Sequence, residues 1–124
     1  VVELLIRHGA DINQQDSNGL TALMTAAGNG HERVVDLLMQ RSAEINQQNS
    51  FGGTALMGAA LYGHERVIEL LMQHGADVEW QDTARWTALM LAASYGHDRV
   101  VELLLQRGVE INKQNSDCWT ALMA

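Results

Sequence analysis

Thr21-Ala22-Leu23-Met24 recurs letter for letter at Thr54-Ala55-Leu56-Met57, Thr87-Ala88-Leu89-Met90 and Thr120-Ala121-Leu122-Met123, each copy starting 33 residues after the one before. A fixed interval of this length marks stacked supersecondary units. Each is too small to bury its apolar face alone and is completed by its neighbours. Every other regular feature of the chain keeps the same spacing.

Outward from each block, the threonine is placed to cap a helix, its hydroxyl accepting from a backbone N–H that has no partner within the helix. A short first helix follows through Leu23, Ala26 and Ala27, repeated as Leu56, Ala59 and Ala60, then as Leu89, Ala92 and Ala93. The paired alanines allow a neighbouring helix to approach closely. Gly30, Gly63 and Gly96 end this helix, and His31, His64 and His97 stand immediately after the glycines. A second helix then puts Val34, Leu37 and Leu38 on one apolar stripe at i, i+3 and i+4, with Arg33, Asp36 and Gln40 off it. Its expected left-handed terminator is Gly9, Gly75 or Gly108, with Ser42 in the same place in the remaining copy.

Ile12, Ile45, Val78 and Ile111 then anchor an extended polar stretch that leads to a turn cluster. Asp16-Ser17-Asn18-Gly19 and Asn49-Ser50-Phe51-Gly52 have the Asp or Asn first and Gly fourth that a type I turn favours. Asp82-Thr83-Ala84-Arg85 and Asn115-Ser116-Asp117-Cys118 lack that glycine, so strain is expected at Arg85 and Cys118.

Composition sets outer bounds. The chain has 124 residues, 47% apolar and 19% charged, which suits one globular domain rather than a disordered or membrane-spanning one. No apolar run approaches the roughly 20 residues needed to span a bilayer. No charged-then-apolar leader opens the sequence, which starts and stops inside a unit. One cysteine, Cys118, forms no internal disulfide and fits a reducing, intracellular and cytoplasmic setting. The net charge of −7 argues against a nucleic-acid ligand, whose phosphates call for Lys and Arg, and favours a basic or neutral partner.

The recurring elements resemble ankyrin repeats: the spacing, Thr-x-Leu-x-x-Ala-Ala, Gly-His at the bend, Val-Val-x-Leu-Leu and Gly-Ala-Asp-Ile-Asn leading out. The resemblance covers the whole chain. It implies an all-α solenoid of helix-turn-helix units with short β-hairpin-like loops, forming a single domain over 1–124. The divisions expected are a partial repeat at 1–15, full repeats at 16–48, 49–81 and 82–114, and a partial repeat at 115–124. Where the family commonly carries Thr-Pro-Leu-His, this chain has alanine for proline and Met24, Met57, Met90 and Met123 for histidine. The methionines are expected to form an interior seam. The resemblance also matches Asn13, Asn46 and Asn112 to the asparagine hydroxylated in some ankyrin repeats, with Glu79 in the remaining copy.

No chemical site converges. Equivalent points on stacked helices lie roughly 8–10 Å apart, too far for His31, His64 and His97 to share one zinc at bond lengths of about 2 Å. Their expected role is to bond backbone groups around the bend. The acidic row Asp11, Glu44, Asp77 and Glu110 is equally spread out, and no phosphate loop, nucleophile elbow or His-Glu-x-x-His motif occurs. Catalytic, cofactor and metal sites are therefore not expected, and the chain does not read as an enzyme.

Function is expected where the copies disagree. All six aromatics, Phe51, Tyr62, Trp80, Trp86, Tyr95 and Trp119, occupy variable columns; the column of Trp86 and Trp119 holds Leu20 and Gly53 elsewhere. A core column would demand similar volume in each copy. In ankyrin-like folds these places line the concave face, so the aromatics, with Leu20, Asn29 and Leu61, form the expected partner-binding set. The function implied is recognition of a protein or peptide by hairpin tips and first helices. The alternative is a spacer or scaffold segment of a longer array, whose uncapped apolar ends would stack end to end.

Overall fold

A computed structural model describes residues 2–108 and 120–123. The described part comprises α1 (Val2–Arg7), α2 (Ala22–Gly28), α3 (Glu32–Gln40), α4 (Ala55–Tyr62), α5 (Glu65–Gln73), α6 (Ala88–Ser94) and α7 (Asp98–Gln106). A 3₁₀ turn at Ala121–Met123 completes it. The turn at 115–118, with Cys118, and the anchor Ile111 lie outside the described residues, as do Glu110, Asn112 and Trp119.

The short helices start as their threonines dictate. Thr21, Thr54 and Thr87 have extended backbones and are buried, and each Oγ1 accepts from the amide three residues on, at Met24, Met57 and Met90 (3.3–3.4 Å). Both kinds of helix stop in the same way. Gly30, Gly63 and Gly96 close the short helices with φ of 72–74°. The next amide, from His31, His64 or His97, then reaches back to the carbonyl of Ala26, Ala59 or Ala92. This is the Schellman arrangement, which satisfies carbonyls that the helix end would leave bare. After α5, Gly75 (φ 92°) allows Ala76 N to donate to the carbonyl of Leu71.

Ser42 does the same work after α3 at φ 65°, with Ala43 N donating to Leu38 O. A side chain in this region is held against its preference. Ser42→Gly is expected to raise unfolding free energy by about 0.5–1 kcal/mol, read as a higher melting temperature. Arg85, the other non-glycine residue with positive φ (65°) among the described residues, should respond alike to Arg85→Gly. An unchanged melting temperature in both variants would remove strain as the explanation.

The helices stack in two layers, with α2 on α4 on α6 in one and α3 on α5 on α7 in the other. Small side chains line the first layer: Ala26, Ala27, Ala59, Ala60 and Ala92 are buried there. Larger ones, such as Val35, Leu38, Ile68, Leu71 and Leu104, fill the space between layers. The alanine layer is accordingly the more closely packed of the two. Ile12, Ile45 and Val78 pack at the margin of this core. On α5 and α7, Arg66 pairs with Glu69 (3.1 Å) and Arg99 with Glu102 (2.9 Å). These pairs are solvent-exposed and worth little.

The expected hairpin-like arms contain no strand among the described residues. Each is a turn tied by its leading Asp or Asn. The Oδ1 of Asp16, Asn49 or Asp82 accepts two amides, from Asn18 and Leu20, Phe51 and Gly53, or Ala84 and Trp86, all at 2.8–2.9 Å. Successive turns are joined directly: Ser50 N donates to Asn18 O and Thr83 N to Phe51 O, both at 3.0 Å. Asparagines couple the arms further in. Asn13 Oδ1 accepts from Glu44 N and Asn46 Oδ1 from Asp77 N, both at 2.8 Å.

Candidate interaction groove

An open groove of about 970 Å³ crosses α2, α4 and α6 beside the turns. Its floor is formed by the residues of the short helices that reach the open face, two buried methionines among them. On α2 these are Met24, Thr25 and Gly28, and on α4 they are Met57, Gly58 and Leu61; Leu91 of α6 closes the far side. Gly28 and Gly58 face one another, and a Cβ built on Gly58 would meet Gly28 Cα only at 3.8 Å. Neither the left-handed backbone nor a close neighbour requires Gly58, because it is helical and an added Cβ would make only ordinary van der Waals contact with Gly28. A glycine in mid-helix costs about 0.5–1 kcal/mol relative to alanine, and what it leaves here is a hollow.

The groove brings together five of the residues singled out in the sequence: Leu20, Asn29, Phe51, Leu61 and Tyr62. Phe51, at the tip of a turn, is 71% exposed, and Tyr62, at the end of α4, is 62% exposed with its ring 6.4 Å from that of His64. Tyr95, at the end of α6, is equally exposed (62%) but does not line the groove. Trp86 is half-buried and outside the lining. Trp80 is also half-buried, and its indole Nε1 donates to Gly52 O at 2.8 Å, clasping the preceding turn.

The groove also contains residues that the aromatic pattern missed. Thr25, Gly58 and Leu91 form one column, and it varies as widely as those holding tyrosine and tryptophan. Variation in size without an aromatic was the overlooked signal. Met24 and Met57 are buried, as a seam requires, yet they also surface in the floor.

The histidines differ from expectation in where they reach. His64 Nε2 bonds the carbonyl of Gly28 (2.9 Å) and His97 Nε2 that of Leu61 (2.8 Å), each in the preceding helix pair rather than its own bend. The physical reason is that each bend already satisfies itself through the Schellman bonds, whereas the end of the preceding short helix presents an open carbonyl. His64, itself a lining residue, thereby ties the groove at Gly28.

The chain matches family models described as ankyrin repeats, one of three copies over residues 1–82 and one of many copies over 71–122. It belongs to the ankyrin repeat family, whose members are generally protein–protein interaction modules and typically not enzymes. No match was found among curated proteins. Among the described residues, no helix is long and apolar enough to cross a membrane.

Proposed function

We propose that this protein recognises a segment of another protein by laying it along the groove over α2, α4 and α6. The observation that carries this reading is the coincidence of variable columns with an open apolar surface. Leu20 and Phe51 come from two turns, Leu61 and Tyr62 from α4 and Leu91 from α6, and all five line the groove. Exposed aromatics around a preformed apolar surface are the usual anchors of an interface. The turns and helices holding them are cross-tied, so little ordering entropy is lost on binding.

Phe51→Ala combined with Tyr62→Ala tests this. Both side chains are mostly exposed, so the unfolding free energy should fall by no more than about 1 kcal/mol, while affinity for a captured partner drops by roughly tenfold to a hundredfold. Full retention of binding by a folded double variant would move the interface elsewhere on the molecule.

A further inference from the structure

We infer that the occupant of the groove is an extended peptide segment that seats one bulky apolar side chain in the hollow at Gly28 and Gly58 and presents a lysine or arginine to Asp82. This rests on the proposed function and specifies its ligand.

The hollow is the first reason. Gly28 and Gly58 remove side chains from two facing helices at the same level, while Met24 and Met57 supply a deformable apolar floor and Leu61 and Leu91 flank it. Deformable thioethers suit an inserted side chain of variable shape. Neither a left-handed φ nor a clash requires Gly58, and with Gly28 it lines the groove without a side chain.

Charge is the second reason. Asp82 is the one carboxylate among the groove's described lining residues, and neither lysine nor arginine lines it. The other ionisable groups there are Tyr62 and His64, the latter held to the Gly28 carbonyl. Asp82 Oδ1 accepts the amides of Ala84 and Trp86, which fixes the carboxylate at the rim. The whole chain carries −7, so a cationic segment is favoured in approach as well as in contact. The third reason is shape. A trough open along its length cannot enclose the 70–90% of a small ligand's surface that binding pockets typically bury, whereas an extended chain can follow it.

The substitution that isolates the charge is supplied by the protein itself. Asn49 occupies the place of Asp82 in the preceding turn and accepts the same two amides through Oδ1. Asp82→Asn therefore keeps the turn and removes only the charge. Gly58→Leu fills the hollow, and Gly58→Ala is a smaller intrusion for use if the leucine variant does not fold.

The experiment is to select peptides from a phage-displayed random library on the intact protein, then measure synthetic copies by fluorescence anisotropy at several salt concentrations. Selected sequences should pair a Leu, Ile, Phe or Trp with a Lys or Arg. Gly58→Leu should weaken them by about tenfold to a hundredfold, with Gly58→Ala intermediate. Asp82→Asn should weaken them by about two- to fivefold and flatten the salt dependence. Selection of acidic or wholly polar peptides, a library yielding no binder, or unchanged affinity in a folded Gly58 variant overturns the inference. If binders are lost on Phe51→Ala with Tyr62→Ala but tolerate the Gly58 variants, the groove stands and only this ligand fails. If they tolerate all of these substitutions, the proposed function fails with it.

Discussion

Gly63→Ala is expected to cost about 3 kcal/mol of stability, whereas Gly96→Ala, in the same backbone conformation, should cost only about 1–2 kcal/mol. The two glycines close equivalent helices at φ 74° and 73°. A methyl group on either meets the same intrinsic penalty for a left-handed L-residue. They differ in what stands in front of them. A Cβ on Gly63 would lie 2.5 Å from Nδ1 and 2.9 Å from Cε1 of His97, while one on Gly96 has nothing within 4 Å among the described residues.

The His97 ring cannot step aside without loss, because its Nε2 is bonded to Leu61 O at 2.8 Å. Displacing it leaves a part-buried carbonyl without that partner, a further cost of about 1–3 kcal/mol. The same reasoning applies to Gly30, whose Cβ would lie 2.6 Å from Nδ1 of His64. A double-mutant cycle separates the two contributions. With His97→Ala already present, Gly63→Ala should fall to the cost of Gly96→Ala, giving a coupling of about 1–2 kcal/mol. Urea unfolding of the four proteins measures it, and equal costs at Gly63 and Gly96 in the parent background would refute the ring contact as the cause.

That contrast also shows what a sequence of this kind makes legible. Helix starts and stops were readable because their causes are local. Thr54 caps its helix by accepting from an amide only three residues on, and Gly63 permits a conformation that its own φ decides. Ser42 and Arg85 were identifiable as strained for the same reason, by comparison with the glycines in their columns. The histidine partners were not readable, because His64 and His97 bond carbonyls 36 residues earlier, and only the stacking distance selects Gly28 and Leu61 over groups in the nearby bend.

The groove was legible in part. Exposure of Phe51, Tyr62 and Tyr95 follows from columns that tolerate any volume, but such variability does not say which exposed residues share a surface. Tyr62 and Tyr95 are equivalent in sequence and equally exposed, yet only Tyr62 lines the groove. Trp80 illustrates a second limit. Its column is variable, but the indole N–H happens to reach Gly52 O, so the side chain is engaged between turns. The hollow at Gly58 was hidden because absence of a side chain is not conspicuous in a search for anchors.

The turns supply the other large effect, Gly19→Ala, for which a loss of about 3 kcal/mol is expected. Gly19 has φ 78°, and a Cβ there would stand 2.8 Å from Ser50 N, 3.0 Å from Asn49 Cα and 3.1 Å from Asn49 C. These are backbone atoms of the next turn, so no rotamer change relieves the overlap and the turns themselves must part. Parting them breaks the bond from Ser50 N to Asn18 O. Arg85 shows that a side chain at left-handed φ is tolerated in such a turn, so conformation alone does not forbid alanine at Gly19. Gly75→Ala is the matching control, with φ 92° and, among the described residues, no heavy atom within 4 Å of its Cβ; it should lose only about 1–2 kcal/mol. Hydrogen exchange at the Ser50 amide distinguishes the mechanisms, since Gly19→Ala should remove its protection while Gly75→Ala leaves it intact. The displaced turn carries Asn49 and Phe51, both of which line the groove. Gly19→Ala should therefore also weaken peptide binding by several-fold, through a residue that touches no ligand, because close glycine-to-backbone packing sets where the rim stands over the floor.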